Sequence, residues 1–296
     1  MKDTNPTVPD HLSVLLTMLS PLRLTRIVDV GANPVEEPPY LDLLHAGGCD
    51  LLGFEPHPGA FAELQAQASR HETYLPHAVG DGTEVDFNIY RASGLSSVFP
   101  PYEGAFRFLG RSRGNMRRVD GARMPTKRLD DLPEARDMDL LKIDIQGGEV
   151  AVFTGAEKVL KDAVAVIVET RFYQLYENEP MLGGVDLALR AHGFQFHKFM
   201  FQKAKVLPSR WRDQLRARAN RNQVIDGDAI YLRDLGADTP LGDDKLAHLA
   251  ILSAAVFESH DLVLWALEQL TDRGTIPQSV GDAYLAALPP ELTKRH

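Results

Sequence analysis

The sequence predicts an α/β fold with a mostly parallel central sheet. Over residues 25–235, apolar runs of strand length alternate with stretches of helical periodicity, which favours parallel strands joined by helices on both faces of the sheet. Most of these runs end at a glycine, a proline or an acidic residue. The last two runs have less helix between them, so one of the two is expected to be antiparallel.

Apolar or β-branched runs predict the individual strands at residues 26–31, 51–55, 73–79, 85–90, 139–145, 163–169, 194–199 and 229–232. The helices between them are predicted at residues 40–46, 59–69, 150–161 and 182–192. The run at 163–169 is the most hydrophobic, which is typical of a strand buried on both faces.

These patterns divide the chain into three parts. Residues 1–24 form an N-terminal helical segment, residues 25–235 the α/β domain, and residues 240–296 a small C-terminal helical appendage. Within the domain, residues 91–124 lose the periodic pattern and are rich in Ser, Gly, Pro and Arg. We therefore expect an irregular insertion there that acts as a substrate lid.

Composition narrows the classes of function. The formal net charge of −9 argues against a nucleic-acid partner, and the single Cys49 excludes an internal disulfide and a multi-cysteine metal site. The apolar run at residues 12–19 is too short to span a bilayer and lacks the flanks of a signal peptide. A cytoplasmic protein without a membrane span is expected.

The first two strands end in residues that suit a nucleoside site. Asp29, Gly31 and Asn33 follow the first strand, and Glu55 stands 24 residues beyond Gly31 at the end of the second. An acidic residue at about this spacing can accept hydrogen bonds from ribose hydroxyls. The dinucleotide motif lacks its second and third glycines, and Pro34 has no amide donor. This disfavours NAD, but not S-adenosylmethionine (SAM), which carries no phosphate.

Charged residues also mark the ends of two later strands. Lys142 and Asp144 alternate on a hydrophobic strand, where charges are costly unless they are paired or functional. Glu169 and Arg171 end the next strand and are expected to face the same cleft. A structural ion pair is the alternative, but ionisable groups placed in this way are typical of functional sites.

Four blocks in this order, residues 28–33, 53–56, 78–81 and 141–149, resemble the FkbM family of SAM-dependent methyltransferases. The most specific block is the last, Leu-Lys-Ile-Asp-Ile-Gln-Gly-Gly-Glu. The resemblance implies the class I methyltransferase sheet, which is Rossmann-like with an antiparallel last strand. It also implies SAM as the cofactor, and methylation of hydroxyl groups on sugars, glycans or small natural products.

The resemblance further implies a set of cofactor-binding residues: Asp29, Gly31 and Asn33 around the methionine part of SAM, Glu55 and Pro56 at the ribose, Asp81 by the adenine, and Asp144 near the transferred methyl group. From its position alone, Asp81 could equally be a turn residue.

A hydroxyl acceptor benefits from a base that removes its proton. We expect Asp144 or Glu169 to be this base, with Lys142 as a third catalytic residue. His77 and His197 are less favoured, because histidines are more often packed or on the surface.

The predicted substrate-binding residues are Ser96 and Ser97 in the lid and Arg171 at the strand end. The lid also carries arginines that suit an anionic acceptor, such as a phosphate- or carboxylate-bearing glycan, namely Arg107, Arg111, Arg113, Arg117 and Arg118. A solvated loop with ordinary charges would explain the same arginines.

Other interpretations stay open. An NAD-dependent or nucleotide-sugar oxidoreductase is disfavoured by the missing glycines, and a non-catalytic scaffold protein would work through the C-terminal helices. Asp144, Glu169 and a histidine could bind Mg²⁺, although no compact ligand motif is present and no metal is predicted. The apolar faces of the C-terminal helices pack either on their own domain or against a second copy in a homodimer.

Overall fold

The computed structural model describes residues 8–34 and 37–294. Its strands are β1 (Thr25–Val30), β2 (Cys49–Phe54), β3 (Glu72–Leu75), β4 (Ala78–Val79), β5 (Glu84–Tyr90), β6 (Arg118–Lys127), β7 (Leu140–Ile143), β8 (Ala165–Arg171), β9 (Phe194–Lys205) and β10 (Gln223–Arg233). Its α-helices are α1 (Asp10–Met18), α2 (Leu41–His45), α3 (Pro58–Gln67), α4 (Glu103–Leu109), α5 (Glu149–Thr154), α6 (Leu182–Ala191), α7 (Asp243–Ala255), α8 (His260–Asp272) and α9 (Ser279–Ala287).

In the described residues, the main sheet has seven strands in the order β3–β2–β1–β7–β8–β10–β9. In this sheet, the neighbouring strands β3, β2, β1, β7 and β8 pair in parallel, and β10 pairs antiparallel with both β8 and β9. This confirms the predicted mostly parallel sheet with an antiparallel last strand. All residues of β8 are buried, as its continuous apolar run predicts.

The strand predicted at residues 73–79 is wrong as a single element. Pro76 and His77 separate β3 from β4, and Pro76 has no amide hydrogen for a sheet hydrogen bond. β3 joins the main sheet, whereas β4 pairs with β6 in a second sheet with the order β4–β6–β5.

The insertion at residues 91–124 is more regular than the sequence predicts. It contains a short 3₁₀ turn, the helix α4 and the first part of β6. α4 buries Ala105, Phe106 and Leu109, and these side chains share a small hydrophobic cluster with Tyr90 and Tyr176. The insertion is thus anchored to the loop after β8. The expectation that it acts as a lid stays a prediction.

The C-terminal helices α7, α8 and α9, together with α1, cover one face of the main sheet. Their apolar side chains form one cluster with sheet residues such as Ile27, Ile167 and Ile230, while α5 and α6 pack on the opposite face. The apolar faces that could have formed a homodimer therefore pack on their own domain. Within the described residues, no helix has the length and apolarity needed to cross a bilayer.

A buried charged cluster joins α7 to the amino ends of β1 and β7. Asp139 is fully buried and accepts hydrogen bonds from Arg23 Nη1 at 2.5 Å, Lys245 Nζ at 2.8 Å and the Arg26 amide at 2.9 Å. His248 is also fully buried, with its Nδ1 3.0 Å from Thr25 Oγ1. We call Arg23, Asp139, Lys245 and His248 the amino-edge cluster.

Candidate functional site

The turns that follow β1 and β7 pack directly against each other. Gly31, after β1, has φ = 89°, a conformation that favours glycine. A Cβ atom at this position would lie 2.2 Å from the carbonyl oxygen of Asp144. Only a glycine therefore allows the backbone after β1 to approach the backbone after β7 this closely.

Asp29 is buried at the end of β1 and has two partners. Its Oδ2 accepts a hydrogen bond from the Tyr40 hydroxyl at 2.5 Å, and its Oδ1 lies 3.1 Å from Lys142 Nζ. Burial would lower the pKa of Lys142, but the carboxylates of Asp29 and Asp144 outweigh it and the pKa is raised. Lys142 is thus held as a cation against Asp29, which gives it an ion-pairing role.

Glu55 stands at the end of β2 and is 5 % exposed. Its Oε1 accepts a hydrogen bond from the His57 amide at 2.7 Å, and it forms no ion pair within the described residues. Burial raises the pKa of this carboxyl. Pro56 follows directly, and the His57 side chain caps α3 by accepting from the Ala60 amide.

Asp81 lies beyond β4, next to the second sheet. Its Oδ1 accepts hydrogen bonds from the Thr83 amide at 2.9 Å and the Thr83 hydroxyl at 2.6 Å. These hydrogen bonds lower the pKa of Asp81. These contacts are those of a turn residue, which is one of the two alternatives for this position. A role of Asp81 at the adenine stays a prediction.

Gln146 connects the ends of β7 and β8. Its Nε2 donates to Asp144 Oδ1 at 2.9 Å and to Glu169 Oε2 at 2.8 Å, and its Oε1 accepts from Arg171 Nη2 at 2.6 Å. The backbone of Gln146 has φ = 60°. Glu149 Oε1 holds this turn by accepting from the amides of Ile145 and Gly147.

Arg171 lies in the middle of a group of carboxylates. It is 3 % exposed, and its guanidinium lies 2.7 Å from Glu169, 3.3 Å from Glu179 and 3.7 Å from Asp226. Burial and the nearby Asp144 carboxylate raise the pKa of Glu169 well above its ordinary value, although Arg171 opposes this shift. Several buried carboxylates share this one arginine, so its charge does not offset all of them. We call Asp144, Gln146, Glu169, Arg171, Glu179 and Asp226 the carboxyl-edge cluster.

The insertion at residues 91–124 contacts this cluster through two serines. Ser97 is fully buried; its hydroxyl donates to the Gln146 carbonyl at 2.6 Å and accepts from the Phe99 amide at 3.0 Å. Ser96 Oγ accepts from the Tyr90 amide at 3.2 Å. Both hydroxyls thus fix the insertion, and a direct contact with substrate stays a prediction.

Sequence reasoning missed three members of the carboxyl-edge cluster. Gln146 lies within the most specific block, between Asp144 and Glu149, and its neutral side chain is the one signal in the sequence that it connects acidic residues. Glu179 and Asp226 lie in two further segments and have no local pattern. His197 Nε2 contacts Ser259 in the C-terminal helices at 3.0 Å, which agrees with the packed alternative.

The site residues come from distant parts of the chain but meet at one edge of the sheet. Asp29, Lys142, Asp144, Glu169 and Arg171 are joined by direct contacts or charge interactions. Within residues 8–34 and 37–294, no three His, Cys, Asp or Glu side chains are arranged to hold a metal ion.

This sheet order, with acidic residues at the carboxyl ends of β1, β2, β7 and β8, defines a class I, SAM-dependent methyltransferase. The model of the methyltransferase FkbM domain matches residues 29–196, more than half of the chain. The chain therefore belongs to the FkbM methyltransferase family, and SAM is its cofactor. A comparison with curated protein sequences finds no match.

Several solved structures resemble this chain at low sequence identity. Magnesium protoporphyrin IX methyltransferase (ChlM) from Synechocystis PCC 6803, with bound SAM, is 9% identical with a TM-score of 0.37, over 75% of this chain and 76% of that chain. Precorrin-6y C5,15-methyltransferase from Geobacter metallireducens GS-15 is 13% identical with a TM-score of 0.34, over 75% and 86%. Streptococcus pneumoniae Sp1610, a putative tRNA (m1A22) methyltransferase, is 12% identical with a TM-score of 0.36, over 95% and 98%.

The residues at this edge fit SAM. The cofactor carries positive charge on its sulfur and its amino group, and the edge holds several buried carboxylates. Glu55 has no cation partner among the described residues, so its carboxylate is free to accept from ribose hydroxyls. Gly31 lets the turn after β1 lie directly against the backbone of Asp144.

Proposed function

We propose that this protein transfers the methyl group of SAM to a hydroxyl of a sugar, a glycan or a small natural product. The observation that supports this most is the pair of acids Asp144 and Glu169, bridged by Gln146 at the carboxyl ends of β7 and β8. A hydroxyl is a weak nucleophile near neutral pH, and a carboxylate beside it can accept its proton as the new bond forms.

The cofactor side of the proposed site comprises Asp29, Gly31, Asn33, Glu55, Pro56, Asp81 and Asp144. SAM supplies a methyl group on a positively charged sulfur, which makes that carbon electrophilic. Asp29 is held by Tyr40 and Lys142, so it can orient the amino acid end of SAM without itself moving. Glu55 would accept from the ribose hydroxyls.

On the acceptor side, Asp144 is the proposed base. The acceptor oxygen forms a bond to the methyl carbon while the sulfur–carbon bond breaks, and the hydroxyl proton passes to Asp144. The raised pKa of Glu169 favours its protonated form, and a protonated carboxyl cannot accept the hydroxyl proton, so Glu169 is the less suitable base. Gln146 holds both acids in place, and Arg171 fixes Gln146.

The substitution Asp144→Asn tests this proposal. We expect turnover to fall by about 10²–10⁴-fold, the usual contribution of a general base, while the affinity for SAM stays within a few-fold. Transfer of a labelled methyl group to hydroxyl-bearing acceptors measures turnover, and calorimetry measures SAM binding. Asp86→Asn, at an exposed acid of β5, is the matched control.

Unchanged turnover in Asp144→Asn would remove this residue from the mechanism. Acceptors whose hydroxyl is deleted test the acceptor atom, since they should receive no methyl group. Methylation of these compounds at nitrogen or carbon would overturn the oxygen assignment.

We further infer that the acceptor carries negative charge. Arg111 in the lid is partly buried and interacts electrostatically with Asp226 and Arg171 of the carboxyl-edge cluster. It forms no ion pair within the described residues, so its charge is available to a phosphate or carboxylate. Substituting Arg111 and Arg107 together by Gln should weaken acceptor binding at least about tenfold. Unchanged acceptor affinity would contradict this.

The alternative of a non-catalytic scaffold that works through its C-terminal helices gains no support from the fold. The apolar side chains of α7 and α8 are buried against the chain's own sheet, so these helices offer no broad apolar face to a partner.

A further inference from the structure

Positive charge is concentrated in two segments of this acidic protein. Residues 107–118 and 203–222 together carry twelve of the 32 lysines and arginines of the chain and one of its 41 acidic residues. The rest of the chain is correspondingly more acidic than the net charge of −9 indicates. We call these two segments the basic rim.

The two segments of the basic rim touch each other beside the candidate site. Gly110 packs on Pro208, since a Cβ at Gly110 would lie 3.1 Å from the proline ring. Partial burial, Arg111 and Arg212 all lower the pKa of Lys205. Residues 206–222 connect β9 to β10, and because β9 runs parallel to β8, this connection begins at the edge where the carboxyl-edge cluster lies.

Large apolar side chains in this connection are exposed. Every residue from 207 to 219 is exposed, and Leu207, Trp211 and Leu215 are 38 %, 60 % and 47 % exposed. They lie on a connection whose helical segments are the two short 3₁₀ turns Arg212–Gln214 and Ala217–Ala219. The Arg210 guanidinium lies 5.1 Å from the centre of the Trp211 ring.

The arginines of the connection have no acidic partner. Arg210, Arg212, Arg216, Arg218 and Arg221 form no ion pair within the part of the chain that the structure describes. An exposed tryptophan and leucines among unpaired arginines contribute little to the stability of the folded chain. They are the combination of side chains found where proteins bind the surface of an anionic membrane.

We propose that the basic rim docks the protein on an anionic lipid bilayer. The arginines would contact lipid phosphates, and Trp211, Leu207 and Leu215 would enter the boundary between headgroups and acyl chains. The candidate site beside the rim would then face the membrane, where a lipid-linked acceptor is presented. The docking itself does not depend on the proposed reaction.

The apolar side chains favour a bilayer over a nucleic acid as the partner. Single-stranded nucleic acids are held by aromatic rings that stack on bases, and leucines cannot stack. Trp211 is the one exposed aromatic residue between positions 206 and 222. The acidic remainder of the chain would also repel a polyanion that extends past the rim, whereas a bilayer meets one surface of the protein.

Sedimentation of the full chain with lipid vesicles tests the proposal. We expect binding to phosphatidylcholine vesicles that contain about one third phosphatidylglycerol. Binding to phosphatidylcholine alone should be at least about tenfold weaker, since each basic residue near the surface adds its own attraction to anionic lipids. The double variant Arg216→Glu, Arg218→Glu should lose at least about tenfold in vesicle affinity. The control Lys158→Glu, Lys161→Glu makes the same charge change at exposed lysines just before β8, at the opposite edge of the sheet, and should bind like the wild type.

Insertion of the apolar side chains is measured separately. Trp211→Ala with Leu215→Ala should weaken vesicle binding, while Leu187→Ala, at an exposed leucine of α6, should not. Tryptophan emission should shift to the blue with vesicles, and Trp211→Phe should abolish the shift although Trp265 remains. All these variants should keep the wild-type unfolding midpoint.

Equal binding to neutral and anionic vesicles, or binding that survives both double variants, would overturn the proposal. Tighter binding of a single-stranded RNA in the same buffer, lost in the arginine variant and displacing the vesicles, would also overturn it and assign the rim to nucleic acid.

Discussion

The two ends of the central sheet both contain buried charges, but the excess charge is positive at one end and negative at the other. In the amino-edge cluster, the single fully buried carboxylate of Asp139 contacts two cations, Arg23 and Lys245. In the carboxyl-edge cluster, Arg171 contacts three carboxylates, those of Glu169, Glu179 and Asp226. Both clusters join distant segments of the chain, so a structural role alone does not explain why one cluster has excess cations and the other excess carboxylates.

The two clusters shift their acids in opposite directions. Burial would raise the pKa of Asp139, but the hydrogen bond from Arg23 and the charges of His248 and Lys245 outweigh it, so the pKa is lowered. Burial and the neighbouring Asp144 raise the pKa of Glu169. The amino edge therefore stabilises a permanent carboxylate, whereas the carboxyl edge keeps an acid that can hold a proton, which is useful for chemistry.

The largest expected effect is that of Asp139→Asn. The change leaves Arg23 and Lys245 beside a neutral amide and should lower the free energy of unfolding by about 3 kcal/mol, the low end for a broken buried ion pair, because both cations are partly exposed. Denaturant unfolding measures it. Asp137→Asn, which breaks the exposed pair with Arg26, should cost less than about 1 kcal/mol. A similar small loss in Asp139→Asn would show that the amino edge is not a stabilising centre.

The second effect concerns binding at the carboxyl edge. Glu55→Ala should weaken SAM binding by about tenfold or more, since hydrogen bonds to a charged group contribute about 1.5–3 kcal/mol. Titration calorimetry with SAM and S-adenosylhomocysteine measures this. Glu63→Ala, at an exposed acid of α3, should bind like the wild type. If Glu55→Ala keeps full affinity, the ribose is bound elsewhere.

Most of the fold, and the acids at the ends of its strands, could be predicted from the sequence. The strand β8 has a continuous apolar run, and Asp29, Glu55 and Asp144 stand at strand ends where local pattern and spacing reveal them. These signals are local, so a single sequence contains them.

The second sheet and the bridging residues could not be predicted, because their signals are not local. β6 is exposed along almost its whole length, so it has no apolar alternation, and its partner β5 lies across the insertion. Glu179 and Asp226 acquire their role only when the loop after β8 and the strand β10 reach Arg171. Such pairings depend on tertiary packing, and the sequence shows each polar residue in isolation.

Glu169→Gln tests the opposite behaviour of the carboxyl edge. The folded pKa of Glu169 is raised above the unfolded value, so its contribution to stability is present at low pH and is lost as pH rises. As the pH rises above the ordinary glutamate pKa of about 4.3, the wild type should therefore lose stability relative to Glu169→Gln, which cannot titrate. Parallel pH profiles for wild type and Glu169→Gln would show that folding does not raise the pKa of Glu169.

The smallest expected effect is the pH dependence of stability that His248 causes in the amino-edge cluster. Its sign is opposite to that of Glu169. Burial lowers its pKa below the ordinary 6.5, although Asp139 opposes this shift. As the pH falls, His248 therefore takes up a proton in the unfolded chain before it does so in the folded chain. The contribution of the neutral imidazole to stability is lost as pH falls below about 6.5. Urea unfolding should show wild-type stability falling relative to His248→Asn between about pH 7 and pH 5, while His45→Asn, at an exposed histidine, follows the wild type. If the stability of His248→Asn follows the same pH profile as the wild type, the folded and unfolded chains protonate this imidazole equally well. The Asp139 carboxylate would then compensate the charge of His248 in addition to those of Arg23 and Lys245, and the amino edge would carry more positive charge than its two ion pairs indicate.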